Sequence, residues 1–178
     1  MRFQETKLQG VWEVDIEPHT DDRGFFARTW CQREFEQLGF DPRLAQCSIS
    51  FNSRTGTLRG LHYQADPHPE CKLVRCTQGS IYDVVLDLRP GSSTFKDWIG
   101  VTLTARNRRA VLVPGGCAHG FLTLDDDTEV FYQMTEFFHG DLARGFRWND
   151  PAFRITWPSE PVVISERDRQ YPDFEKTK

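Results

Sequence analysis

Glycine, proline and aspartate punctuate this chain roughly every ten residues, and the pieces between them are short and rich in Val, Ile, Leu, Phe and Thr. Pieces of that length do not supply the alternating strand and helix of a βαβ fold, so the spacing predicts an all-β sandwich or barrel. Ile81 to Leu88 shows the strand period: Tyr82, Val84, Leu86 and Leu88 fall on one face, Ile81, Asp83, Val85 and Asp87 on the other. The turn Arg89-Pro90-Gly91-Ser92-Ser93 closes it and Trp98 to Thr104 supplies the next strand. Val111-Leu112-Val113 stops at Pro114-Gly115-Gly116, and Ala118 to Leu124 and Glu129 to Met134 read as strands around the acidic turn Asp125-Asp126-Asp127. Helix is scarce. One piece is expected over Gln32 to Leu38, with Phe35 and Leu38 on one side and Gly39 as a stop; a second short turn follows Ser165, placed to cap Glu166, Arg167 and Asp168.

A chain of 178 residues holds one well-buried core, so one domain is expected over 1–178, with a loose charged tail after about residue 174. The formal charge of −4 argues against a general nucleic-acid binder, yet leaves room for a local basic pocket that takes a phosphorylated ligand. No run approaches the ~20 apolar residues of a membrane span, and Met1 to Lys7 has no apolar stretch behind its charges, so a cytoplasmic protein with no membrane partner is expected. The five cysteines, Cys31, Cys47, Cys71, Cys76 and Cys117, are odd in number and contain no CxxC, which predicts neither disulfides nor a structural zinc site. Cys71 lies beside Lys72 and reads either as an activated thiol or as a small buried one.

Thr57-Leu58-Arg59-Gly60-Leu61-His62-Tyr63-Gln64 sets an imidazole in a strand-type segment with an arginine three places upstream, the pairing needed to take a proton from an anionic substrate. Strict alternation puts Arg59 and His62 on opposite faces, unless Gly60 holds a bulge that re-aims one of them. Lys72 shares its face with Val74 and Cys76, an awkward place for a charge unless something pairs with it; the plainer alternative is an edge-strand lysine. Tyr132 points with Val130 and Met134, so its phenol needs an interior partner, whether for catalysis or for packing. His119 sits between small residues that allow close approach, and Asp168 lies in a Ser-Glu-Arg-Asp turn where a plain capping or solvated group is the alternative. Asp21-Asp22-Arg23-Gly24-Phe25-Phe26 joins a turn to an arginine and two aromatics, the types that hold phosphate and stack on a base, or else is a hairpin turn followed by a core strand.

Together the stretches DDRGFF, LRGLHYQ, KLVRCTQGSIYDVVLDLRPGSSTF, VPGGCAHGFLTL, EVFYQMTE, RWNDPAFRITWP and ISERD, spread from about Asp22 to Pro172, resemble the dTDP-4-dehydrorhamnose 3,5-epimerases of nucleotide-sugar metabolism. The resemblance implies an all-β, cupin-like jelly-roll barrel with a few short helices, no cofactor and a homodimer in which residues near the N-terminus reach the neighbouring subunit's site. It implies epimerisation of a nucleoside-diphosphate 4-keto-6-deoxy sugar at C3, C5 or both, through an enolate. His62 then resembles the catalytic base, Asp168 its carboxylate partner, Tyr132 the general acid and Lys72 the group beside the enolate. Arg23, Phe26, Arg28, Gln46, Arg59, His119 and Arg167 fall at or near substrate-binding positions.

Three positions depart from the family pattern. Arg28 replaces a common acidic residue, Phe137-Phe138 replaces a frequent Tyr-Tyr pair, and a family glutamate is lost near Ala143 and Arg144. These changes point to a substrate other than that of rhamnose biosynthesis, whether a CDP- or GDP-linked sugar or one inverted at a single carbon. A metal-dependent cupin fits poorly, because the strand of His62 carries no His-x-His and His68 lies in a proline-flanked loop. An inactive sugar-binding module would not require an acid and a base together.

Overall fold

The computed structural model describes residues 1–174. Along the chain run β1 (Arg2–Glu5), β2 (Trp12–Asp15), β3 (His19–Asp21), β4 (Gly24–Phe26), α1 (Gln32–Glu36), β5 (Gln46–Asn52), β6 (Thr57–Gln64) and β7 (Lys72–Gln78). These are followed by β8 (Ser80–Asp87), β9 (Trp98–Thr104), β10 (Ala110–Val113), β11 (Cys117–Thr123), β12 (Thr128–Met134), β13 (Ala143–Gly145), β14 (Val163–Ile164) and α2 (Glu166–Gln170). The first sheet has the order β1-β2-β10-β7-β12-β5 and the second the order β13-β6-β11-β8-β9, with short β14 running parallel to β6. The remaining pairings are antiparallel, and this is the jelly-roll arrangement expected of the sequence.

Alternation along each strand decides which residues meet between the sheets. Val74, Cys76, Val111, Val113 and Val130 of the first sheet pack on Ile81, Val85, Leu103 and Phe121 of the second. Both outer faces are covered as well. Phe35 of α1 closes over Val14, Leu73, Ala110 and Leu112, while Phe146 and Phe153 close over Leu61, Val84, Leu86 and Ala118. Strand β8 is therefore buried on both faces, which is why Asp83 and Asp87 are fully enclosed.

The predicted strands at 98–104, 111–113, 118–124 and 129–134 form within a residue of those limits. Helix α1 stops at Glu36, two residues before the expected end. Leu38 and Gly39 instead bond back three residues to Phe35 and Glu36, and Gly39 turns left-handed at φ +81°. Ser165 caps α2 as expected, its Oγ accepting from the Asp168 N–H at 3.1 Å. Lys72 is not an edge residue, since β7 lies between β10 and β12, and its side chain lines the space between the sheets. The charged tail expected after Phe174 lies outside the described residues.

One irregularity shapes the centre. Between the pairs His119↔His62 and Phe121↔Arg59 the register shifts, so Gly60 and Leu61 together face Gly120. Leu61 swings outward, exchanging backbone hydrogen bonds of 3.1 and 3.0 Å with Phe146. Gly60 adopts φ +113°, and a Cβ there would stand 2.6 Å from Gly120 Cα and 2.7 Å from the His119 carbonyl oxygen. We predict that Gly60→Ala destabilises the fold by about 2 kcal/mol or more, from backbone strain plus this overlap. A urea midpoint equal to that of the native chain would show that β6 and β11 can part here without cost.

Candidate active site

The cavity between the sheets has a volume of about 810 Å³, and its walls come from β5, β7 and β12 on one side and β6, β11, β14 and α2 on the other. Arg59, His62, Lys72, His119, Tyr132, Arg167 and Asp168 line it together. The bulge at Gly60 accounts for Arg59 and His62 sharing this space despite their odd separation.

His62 Nε2 lies 2.6 Å from Asp168 Oδ1, while Asp168 Oδ2 accepts the Gly60 N–H at 3.3 Å. Burial favours the neutral acid, but the His62 contact, the Gly60 N–H and the Ser165 hydroxyl outweigh it and hold the Asp168 carboxyl below its ordinary value. An ionised carboxylate only accepts, so Nε2 carries a proton, and in the neutral ring the lone pair then belongs to Nδ1. Tyr171 lies edge-on to the imidazole with centroids 6.1 Å apart, bracing the ring.

A second imidazole repeats the arrangement deeper in the barrel. His119 Nε2 lies 2.6 Å from Asp83 Oδ2, both residues are buried, and the other Asp83 oxygen has no hydrogen-bond partner among the described residues. The ring of Tyr132 stands perpendicular to His119, with centroids 6.2 Å apart, and its hydroxyl is 3.4 Å from Ser50 Oγ. Burial is the main force that pushes the Tyr132 phenol well above its ordinary range, so it remains a proton donor. Lys72 finds the partner its position demands in Glu70. Arg59 and Arg167 are held by neutral groups instead: Arg59 donates to Asn52 Oδ1 at 2.7 Å, and Arg167 lies 5.8 Å from the Tyr171 ring centre. Guanidinium charge thus remains available in a cavity that concentrates its field.

The other expected contacts lie outside this cavity. Arg23 and Phe26 occupy the β3–β4 hairpin, where Arg23 pairs with Asp21 and Phe26 is 78% exposed. Arg28 pairs with Glu34 of α1 at 3.2 Å. Gln46 acts at one remove, its Oε1 accepting the Phe138 N–H at 2.7 Å and so fixing the loop that brings Phe138 to the cavity. Sequence reading missed Ser48, Ser50, Asn52, Glu70 and Asp83. The polar alternation Gln46-x-Ser48-x-Ser50-x-Asn52 was the available sign of a strand facing a wet cavity, whereas Asp83 is indistinguishable in sequence from Asp87, which instead binds Arg89, Ser92 and Thr94.

Cys71 is not an activated thiol. Burial pushes it up to about 12 despite the neighbouring Lys72 charge. Iodoacetamide near neutral pH is therefore predicted to label Cys71 at least a hundredfold more slowly than free cysteine, followed by peptide mass spectrometry; equal rates would mean that Lys72 governs the thiol.

Comparison with known proteins agrees with this geometry. The family model for dTDP-4-dehydrorhamnose 3,5-epimerase matches residues 5–176. The dTDP-4-dehydrorhamnose 3,5-epimerase of Methanothermobacter thermautotrophicus is 43% identical over 96% of this chain and 92% of its own, and that of Pseudomonas aeruginosa is 44% identical over 86% and 85%. The crystal structure of the Bacillus anthracis dTDP-4-dehydrorhamnose 3,5-epimerase with TDP and PPi bound superposes with a TM-score of 0.91 at 40% identity, covering 97% of this chain and 98% of that one. With a matched model over nearly its whole length and relatives of this similarity, the chain belongs to the dTDP-4-dehydrorhamnose 3,5-epimerase family.

Proposed function

We propose that the protein is an isomerase that inverts C3, C5 or both in a nucleoside-diphosphate 4-keto-6-deoxy sugar, with the dTDP-linked sugar as its first substrate. The observation that carries this reading is that His62 and Tyr132 stand on opposite sheets across one cavity, so a proton can leave one face of the sugar and return to the other. The C–H bonds beside a 4-ketone are acidic because the electron pair left behind delocalises onto the ketone oxygen. His62 Nδ1 takes the proton, Asp168 stabilises the imidazolium, and Tyr132 donates from the far wall; each positioned proton transfer contributes about 10²- to 10⁴-fold. Lys72, together with His119 of the same cavity, stabilises the enolate oxygen, a term of roughly 3–4 kcal/mol per donor in comparable sites. Arg59 and Arg167 hold the diphosphate. No step requires a redox cofactor or a metal.

The substituted contacts favour a second reading within the same chemistry. Phe138 lines the cavity without the hydroxyl of the common tyrosine, which removes a polar contact near the sugar and is compatible with inversion at one carbon or with a CDP- or GDP-linked substrate. NMR in D₂O separates these. Deuterium at both C3 and C5 of dTDP-4-keto-6-deoxyglucose marks a double epimerase and label at one carbon a mono-epimerase. Incorporation should fall at least a hundredfold in His62→Ala, while Tyr132→Phe should slow product formation more than exchange. Undiminished exchange in His62→Ala would overturn the assignment of the base.

The working unit in this reading is a homodimer. Strand β5 ends the first sheet with Ile49 61% and Phe51 52% exposed, and the β3–β4 hairpin stands off the barrel with Arg23 and Phe26 uncovered. Those residues serve the site of the neighbouring subunit, Phe26 against the base and Arg23 at the phosphate. Mixing His62→Ala protein with an Arg23→Ala, Phe26→Ala double variant should then restore roughly a quarter of native activity, because half the dimers regain one complete site. Mixtures no more active than their parts would place the hairpin in its own subunit's site or in none.

A further inference from the structure

We propose that His68, Glu136 and His139 form a binding site for a zinc-type divalent cation, separate from the His62–Asp168 pair and built on the loop that holds Phe138 at the cavity. One ligand atom from each of the three residues lies within 4.8 Å of the others, and among the described residues no other three His, Cys, Asp or Glu side chains converge in this way. Two imidazoles and one carboxylate are the donor set of open zinc sites, with a fourth position left to water.

Donor spacing supports the assignment. Bonds of about 2.1 Å in tetrahedral array set neighbouring donors roughly 3.4 Å apart, and His68 Nδ1 stands 3.5 Å from Glu136 Oε2. The second Glu136 oxygen is already engaged, accepting the Phe137 N–H at 2.7 Å, so the carboxylate presents one oxygen in a fixed direction. His139 completes the set. Its ring is stacked on His68 at 4.3 Å and 11°, an arrangement in which the two lone pairs cannot share one ion. Turning an imidazole about its Cβ–Cγ bond re-aims its lone pair, and that torsion is soft.

The two histidine loops are held by one buried side chain. The Gln64 amide donates to the carbonyls of His68 at 2.6 Å and Phe137 at 3.0 Å, while its oxygen accepts the His139 N–H at 2.8 Å. This clamp fixes the backbone on which the ligands are mounted, the outer-shell support that tunes metal sites. Because Phe138 lies between Glu136 and His139 and lines the cavity, an ion bound here would stiffen the wall nearest the sugar without entering the chemistry.

The test is zinc chloride titrated into tag-free protein in competition with a chromophoric chelator, alongside thermal melting. The expected result is one zinc per chain, a higher melting temperature with zinc, and affinity at least tenfold weaker in both His139→Ala and Glu136→Gln, with circular dichroism confirming that each variant is folded. His62→Asn should bind zinc as the native chain does. Native affinity in the two folded loop variants, loss of binding in His62→Asn, or no stoichiometric binding by the native chain would each overturn the site. These outcomes do not depend on the epimerase activity.

Discussion

Two backbones meet without intervening side chains where Gly60 of β6 passes Gly120 of β11, and the cavity is arranged around that contact. A side chain on Gly60 would overlap the neighbouring strand, so the bulge exists only with glycine there. Three consequences follow from the one shift in register. Arg59 and His62 come to the same space, the freed Gly60 N–H reaches Asp168, and Leu61 turns out to bond with Phe146 and anchor the outer layer. His62 and Arg59 are thus held by strand pairing that also fixes the core, and Asp168 is tied to the same strand by its hydrogen bonds, which limits the drift of the three relative to one another.

Charge inside an apolar barrel is tolerated here because it is paired residue by residue. His62 with Asp168, His119 with Asp83 and Lys72 with Glu70 each bring a basic and an acidic group to hydrogen-bonding distance. Arg59 and Arg167, held by an amide and a ring, supply the surplus positive charge that a diphosphate would meet. Asp87 shows the other use of a buried carboxylate. Burial opposes its ionisation, but Arg89, Ser92 and Thr94 together hold it far below its ordinary value, and the result is a tied turn with no part in the cavity.

Much of this was legible from the residues. The period-two pattern of Ile81 to Leu88 and the stops at Pro114-Gly115-Gly116 predicted strands that form, and the face shared by Lys72, Val74 and Cys76 correctly required an interior partner for the lysine. The short strands β1, β2, β13 and β14 were not legible, because segments of two to four residues carry too few alternations to establish a period. The end of α1 was misjudged because Gln37 and Leu38 are good helix formers, and the three-residue bonds that close the helix depend on how Phe35 packs under Trp30 and Phe3.

The sequence by itself determined an all-β barrel and a set of candidate groups for chemistry, since strand period, turn residues and ordered motifs are local properties of the chain. Only the tertiary structure decided which of those groups stand together. It matched His119 to Asp83 and not to Asp87, set Tyr132 on the wall opposite His62, left Arg23 and Phe26 outside the cavity, and gathered His68, Glu136 and His139 from two loops. Pairings between residues tens of positions apart depend on sheet order and register, and a single bulge inverts which face a residue occupies.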